Sequence, residues 1–423
     1  MSKWKWLMLQ LGRVLWVRAA LIGVLGIAAA GLAAVVERFL PWPLPFDIAA
    51  GAVDSILSII ASSMLAVTTF SLSVMTSAYG AATSNVTPRA TKLLMQDRVT
   101  HNVLSTFIGS FLFSIVGIVV LKIGAYGPRG RAVLFLVTIG VLVLIVLSLL
   151  RWIDHLTRLG RVSETTDRVE QATRTALTER LNHPYLGGQA LPETHAVPAT
   201  GAPLVRSAET GYVLHVDLSA LSACSEKWGA DIYLLVVPGA FVHLDTPLAW
   251  VGPQDEKLES DARDACLEDM RRAFAIGPER SFDQDPRFGL AVLTEIASRA
   301  LSPGINDSGT AIDVIGRNAR LLTLWAQGGQ PQEATAQPHG RIFVPALTCD
   351  DLFDDAFRII ARDGAAQIEV QLRLQKALAA LAGLGDEAFR AAARRQSELA
   401  MARAEASMAL EADKALLRDF VQS

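Results

Sequence analysis

The 423-residue chain is 51% hydrophobic, only 19% charged, and carries a net charge of −3. A soluble protein of this size holds about 25% charged residues, so the deficit points to membrane segments. The slight negative charge excludes the basic footprint of a nucleic-acid binder, and three unspaced cysteines (Cys224, Cys266, Cys349) argue against a disulfide framework and for a reducing compartment.

Residues 1–150 hold nearly all the long apolar runs. The head is cationic and aromatic (Lys3, Trp4, Lys5, Trp6, Arg13, Trp16, Arg18), and Ala19–Val36 follows with 18 uncharged residues. That length crosses about 30 Å of hydrocarbon. A cleaved signal peptide is the competing reading, but the apolar core is over-long for one and the tryptophans suit an interfacial belt. Pro41, Pro43 and Pro45 then set a rigid, non-helical loop.

The second span is expected from about Asp54 to Tyr79, with Gly80 and Pro88 interrupting it. It is apolar yet rich in hydroxyls. At 100° per residue, Ser55, Ser58, Ser62, Thr69, Ser73, Thr76, Gly80 and Ser84 fall within roughly an 80° arc. A stripe of this kind either packs against another helix or lines a wet path. Thr87-Pro88 restarts a helix, with Thr as N-cap and Pro in the first turn. Arg89, Lys92 and Arg98 form a basic cluster at the cytoplasmic mouth, on a short interfacial segment.

The third span is expected at Val103–Leu121, with Thr106, Ser110 and Ser114 beside Gly109 and Gly117 on a small-residue packing face. The fourth, Ala132–Leu150, is uniformly aliphatic. Basic residues precede span one, separate spans two and three, and follow span four (Arg151, Arg158, Arg161). The positive-inside rule then gives four crossings with both termini cytoplasmic, although Lys122, Arg129 and Arg131 lie on the opposite side. The expected fold is thus a membrane α-helical domain of four transmembrane helices over residues 1–150, plus a cytoplasmic α+β part.

Ile153–Leu181 reads as an amphipathic helix leaving the membrane. Its Val162, Val169 and Ala176 at heptad spacing suit either a stalk with an oligomer contact or a core helix. Stalk and linker are placed at 151–196, the linker marked by Pro184, Gly187, Gly188, Pro192 and Pro198. Alternation in Gly211–Asp217 and Asp231–Val237, then Pro238-Gly239 and two short runs, predicts a small β module over 197–256. Within it, the phrase Pro238–Val251 resembles the hairpin of biotinyl/lipoyl-type barrels, without a lysine at its tip. Residues 257–423 read as helical. Arg280, Asp283, Gln284, Asp285 and Arg287 lead into a helix over Phe288–Leu301, Ser302-Pro303-Gly304 breaks it, and Asn306 and Asp307 restart one that runs to Trp325.

Thr87-Pro-Arg-Ala90, Gln96-Asp97-Arg98, and the block Arg287-Phe-Gly-Leu…Arg299-Ala-Leu-Ser-Pro-Gly-Ile-Asn-Asp307…Thr310-Ala311 together resemble the bacterial "predicted membrane protein" family, a domain-of-unknown-function family (number 2254). The resemblance covers about Ser55 to Leu324. Ser308 departs from it, since a proline is usual there, and so does His243. It implies a bacterial inner-membrane location and supplies no activity.

The chain holds no phosphate loop, nucleophile elbow, HExxH or CxxC pair, so neither catalysis nor a cofactor is expected. His215/Asp217 and His243/Asp245 share strand faces at i,i+2, a spacing that more often marks a solvated face than a metal site. Asp283, Asp285, Arg287, Asn306 and Asp307 read as either a ligand pocket or a capped, ion-paired interhelical corner. Ionisable residues are absent from mid-membrane, which disfavours a proton-coupled carrier. Four spans are few to enclose a transport path within one subunit. The leading expectation is therefore a homo-oligomeric channel or conduit lined by Ser55, Ser58, Ser62, Thr69, Ser73 and Thr76, in contact with the lipid bilayer. The alternative is a membrane-anchored sensor or scaffold that binds a ligand or partner through its cytoplasmic domain.

Overall fold

The computed structural model describes residues 6, 8, 17, 20–29, 31, 50–95, 97–124, 128–158, 160–196, 198, 200–254, 260–328 and 339–422. The Lys3–Trp4–Lys5 head, the Pro41–Pro45 loop and the second half of the first expected span lie outside them. The chain divides into two compact units, Leu7–Thr165 and Met1–Trp6 with Thr166–Ser423.

In the first unit, α1 (Ala20–Ala29) is a short apolar helix, followed by α2 (Ala50–Asn85), α3 (Pro88–Met95), α4 (Arg98–Lys122) and α5 (Pro128–Leu156). Among the described residues, three segments are long and apolar enough to cross a membrane: Gly51–Ser84, Arg98–Lys122 and Gly130–Leu156. Each outruns its expected bounds. Helix α2 passes straight through Gly80, where a single glycine costs only about 1 kcal/mol against 36 residues of continuous helix. Its break falls at Val86–Thr87 instead, because Pro88 lacks an N–H and disfavours helical backbone in the residue before it. The Thr87 hydroxyl accepts from Ala90 N at 3.2 Å, and Asp97 caps α4 through Thr100 N at 2.9 Å.

Helix α4 is the packing centre of this unit. Gly26 and Gly109 let α1 and α4 approach, since a Cβ on Gly109 would sit 2.6 Å from the Ile22 side chain. Thr106, Ser110 and Ser114 are buried, in keeping with the packing face expected there. Val53, Leu57, Ile60 and Met64 supply the facing side of α2.

Ile153–Leu181 is not one helix. Helix α5 ends at Leu156, Gly160 adopts φ +82°, and α6 begins at Val162. In the second unit α6 (Val162–Asn182) is a core helix and not a free stalk: Val169, Ala176 and Leu177 are buried. Its cover comes from α9 (Pro286–Ala300) and α10 (Ser308–Gly328). Gly289 on α9 lies so close to Thr173 that a Cβ there would be 2.7 Å from the threonine Cβ, and Gly328 meets Leu181.

The β part is larger than the expected 197–256 module. Strands β1 (Gln189–Ala190), β2 (Leu204–Arg206), β3 (Gly211–Val216), β4 (Ala230–Leu234), β5 (Phe241–Val242), β6 (Pro247–Gln254), β7 (Phe274–Gly277) and β8 (Ile342–Val344) form two sheets. Their orders are β1-β8-β4-β6-β2 and β5-β3-β7. Strand β8 runs parallel to both β1 and β4, and the remaining pairings are antiparallel. Phe274–Gly277 and Ile342–Val344 are too short for alternation to mark them, so the stretch read as wholly helical contributes two strands. The Pro238–Val251 phrase is not a hairpin. Asp245 at φ +65° and the Thr246 N to His243 O bond (3.1 Å) turn the chain so that β5 and β6 enter different sheets.

Helices α7 (Leu218–Trp228) and α8 (Ser260–Arg272) cover the core of Ile232, Leu234, Leu248, Val251, Ile342 and Val344. Cys224 and Cys266 are free thiols within that core. Helices α11 (Cys349–Asp363), α12 (Ile368–Ala382), α13 (Glu387–Ser407) and α14 (Glu411–Gln422) complete the unit. Asn318 Nδ2 donates to Ala356 O at 2.7 Å and Thr294 Oγ1 to Asp355 O at 2.7 Å, which locks α9, α10 and α11 through buried polar groups.

Candidate functional site

The candidate residues fall in two regions, one in each unit. In the first, Ser55, Ser58, Ser62, Thr69, Ser73, Thr76, Gly80 and Ser84 are all exposed. The buried side of α2, formed by Val53, Leu57, Ile60, Met64, Ser71, Met75 and Ala82, lies on the opposite side, roughly 200° round the helix. The stripe therefore lies away from the packed side of α2 among the described residues. Ile59, Leu65, Phe70 and Leu72 are also exposed and flank it with apolar edges.

Most of these hydroxyls donate to their own helix: Ser55 to Gly51 O (2.8 Å), Ser62 to Ser58 O (2.9 Å), Thr69 to Ala66 O (2.9 Å) and Thr76 to Leu72 O (2.9 Å). The donor is spent inside the helix and the oxygen lone pairs remain for whatever meets this face. Arg89, Lys92 and Arg98 are exposed as well, while α3 turns Ala90, Thr91 and Leu94 inward.

In the second unit the five corner candidates do not come together. Asp285 and Asn306/Asp307 lie at opposite ends of α9, a 15-residue helix about 22 Å long. At its start, Asp285 (3% exposed) takes Arg280 in a fork of 2.7 and 3.0 Å and caps the helix through Phe288 N at 3.2 Å. Arg287 pairs with Asp355 at 2.6 Å and Asp351 at 3.0 Å. Asp283 accepts from Trp6 Nε1 at 2.9 Å, and the Trp6 ring stacks on His215 at 5.4 Å. At the far end, Asn306 sits at φ +50° and Asp307 caps α10 through Thr310 N at 3.0 Å. The Thr310 hydroxyl and amide hold the Asp307 carboxyl below the usual carboxylate range. Capping or ion pairing engages Asp285, Arg287 and Asp307.

The two histidine–aspartate pairs sit in different settings. His215 is buried in β3 while Asp217 caps α7 through Ala220 N at 3.1 Å, and His243 and Asp245 sit in the exposed turn before β6. No group of three or more His, Cys, Asp or Glu poised for a metal occurs among the described residues.

Periodicity does not reveal two further features. Glu170 is shared between Arg317 (2.8 Å) and Arg320 (2.8 Å), and Arg317 also takes Asp313, tying α6 to α10. Burial pushes the Glu170 carboxyl up, but the hydrogen bonds and charges of Arg320 and Arg317 outweigh it and hold the group below its ordinary range. Arg180, in the last turn of α6, is 6% exposed, and among the described residues its guanidinium makes a single long bond, Nη2 to the Gln284 main-chain O at 3.4 Å. The only signal for Arg180 is its place near a helix C-terminus, where a cation is ordinary.

A family model described as predicted membrane protein (DUF2254) matches residues 13–380. Uncharacterized proteins of Mycobacterium tuberculosis and Mycobacterium bovis are 25% identical over 345 residues, which is 79% of this chain. The chain spans 65% of the length of these curated relatives. No solved structure matches.

Proposed function

This chain belongs to the DUF2254 family of predicted membrane proteins, and from that premise we propose that it forms a homo-oligomeric conduit in the bacterial inner membrane. In this reading it crosses the bilayer four times, with both termini and the Thr166–Ser423 unit on the cytoplasmic side. Helix α2 faces the axis, and Arg89, Lys92 and Arg98 ring the cytoplasmic mouth. The protein passes a solute and catalyses no reaction.

One observation carries the reading: the hydroxyl stripe is exposed along the whole of α2, on the side turned away from its own unit, with apolar edges on both flanks. Lipid tails offer hydroxyl oxygens nothing, whereas copies arranged round an axis cover the edges and leave the stripe facing a lumen. Purified oligomers reconstituted into liposomes are expected to release entrapped ions. Folded oligomers that stay tight under voltage, tension and pH steps would overturn the proposal and favour the second reading, a membrane-anchored sensor whose cytoplasmic unit binds a ligand.

A further inference from the structure

We propose that Arg180, whose guanidinium reaches the Gln284 main-chain carbonyl, binds a small oxyanion such as a free phosphate group in the second unit together with the Gln284 carboxamide. The inference is independent of the conduit. A guanidinium offers five N–H donors, and a buried one is ordinarily met by carboxylates. Arg180 has only the 3.4 Å bond to Gln284 O and no ion pair among the described residues. Asp285, the carboxylate that acts on it at longer range, is already held in the two-pronged fork by Arg280 and spent on capping α9. Asp285 thus serves Arg280 directly and Arg180 only at longer range. Burial, only partly offset by Asp285, pulls the Arg180 guanidinium down to about 10.

Gln284 supplies the second half of the site. Its Oε1 accepts from Val216 N at 3.1 Å, which fixes the amide orientation and leaves the NH2 as a donor with no acceptor among the described residues. Donors on a planar cation and on an amide of the adjoining residue, with few protein acceptors among the described residues, match an oxyanion, which has only acceptors to offer. The C-terminal end of the α6 dipole offsets part of the Arg180 charge but satisfies none of these N–H groups. The carboxylates around the site are otherwise engaged: Asp283 by Trp6, and Asp355 by Arg287.

The test is thermal unfolding of the full-length protein in detergent, at constant ionic strength, with inorganic phosphate titrated against chloride. The wild type is expected to gain a saturable rise in Tm with phosphate. Gln284→Leu should weaken half-saturation about tenfold, the worth of one hydrogen bond to a charged group, and Arg180→Met should abolish the response. Because Arg180→Met removes a buried charge that lacks a partner, it is expected to fold and, in chloride, to unfold no lower than the wild type. A wild type indifferent to phosphate, an Arg180→Met protein that still responds, or one that unfolds well below the wild type in chloride would each overturn the site. A response to phosphatidylglycerol micelles but not to phosphate would overturn the assignment to a free anion.

Discussion

Asp285→Ala is expected to cost the second unit about 3–5 kcal/mol, because the carboxylate it removes is the direct partner of Arg280 and the nearest compensation for buried Arg180. Loss of the α9 N-cap adds about 1 kcal/mol. Asp285→Asn separates the two effects, since asparagine caps nearly as well as aspartate but carries no charge. It should lose most of the ion-pair share and keep the capping share. Hydrogen–deuterium exchange on the α9 amides measures both, with protection falling far more in the alanine variant's first turn. A loss below about 1 kcal/mol in Asp285→Ala would mean that Arg280 and Arg180 are satisfied elsewhere.

The second large effect belongs to the membrane unit. Ser62→Leu and Thr69→Leu place an apolar branch in the middle of the stripe, at positions that are exposed among the described residues. Folding of the single chain should therefore be unaffected. In the assembled conduit, rings of leucine create a constriction that sheds water, and ion flux from liposomes should fall about tenfold or more. Leu72→Ala, on the exposed apolar edge, is expected instead to weaken assembly, read as a shift in oligomer size in detergent. Leucine variants that conduct like the wild type would remove α2 from any lumen.

Legibility in the sequence followed the strength of the periodic signal. The spans at α2, α4 and α5 were readable because twenty or more apolar residues leave few alternatives, and Thr87-Pro88 marked a true break. The position of Gly80 misled, because a glycine within a long apolar helix weakens it without ending it. Strands of three or four residues such as β7 and β8 carry too few alternations to register, and β8 joins its sheet through parallel pairings with strands more than 100 residues away. The heptad residues of α6 were visible, but what covers them was not. Gly289 and Gly328, which let α9 and α10 approach, have no local signature.

At the candidate sites the same division holds. The arc of hydroxyls on α2 follows from helical geometry alone, whereas its exposure depends on where Val53, Leu57 and Ile60 pack. Asp285 and Asp307 were recognisable as caps. Their separation by the length of α9 is implicit in the helix between them, and it places the residues expected to form either a pocket or a capped corner at two ends of one helix. Arg180, by contrast, becomes notable only once its surroundings are known.

The most direct test of the conduit is labelling of single cysteines along α2 in the reconstituted oligomer by a membrane-impermeant thiol reagent. Ser58→Cys, Ser62→Cys, Thr69→Cys and Thr76→Cys are expected to react, and labelling should block flux. Leu57→Cys and Met64→Cys, on the buried face, should stay unreacted. Stripe cysteines that remain inert in oligomers shown to be folded, or that react without altering flux, would contradict the account.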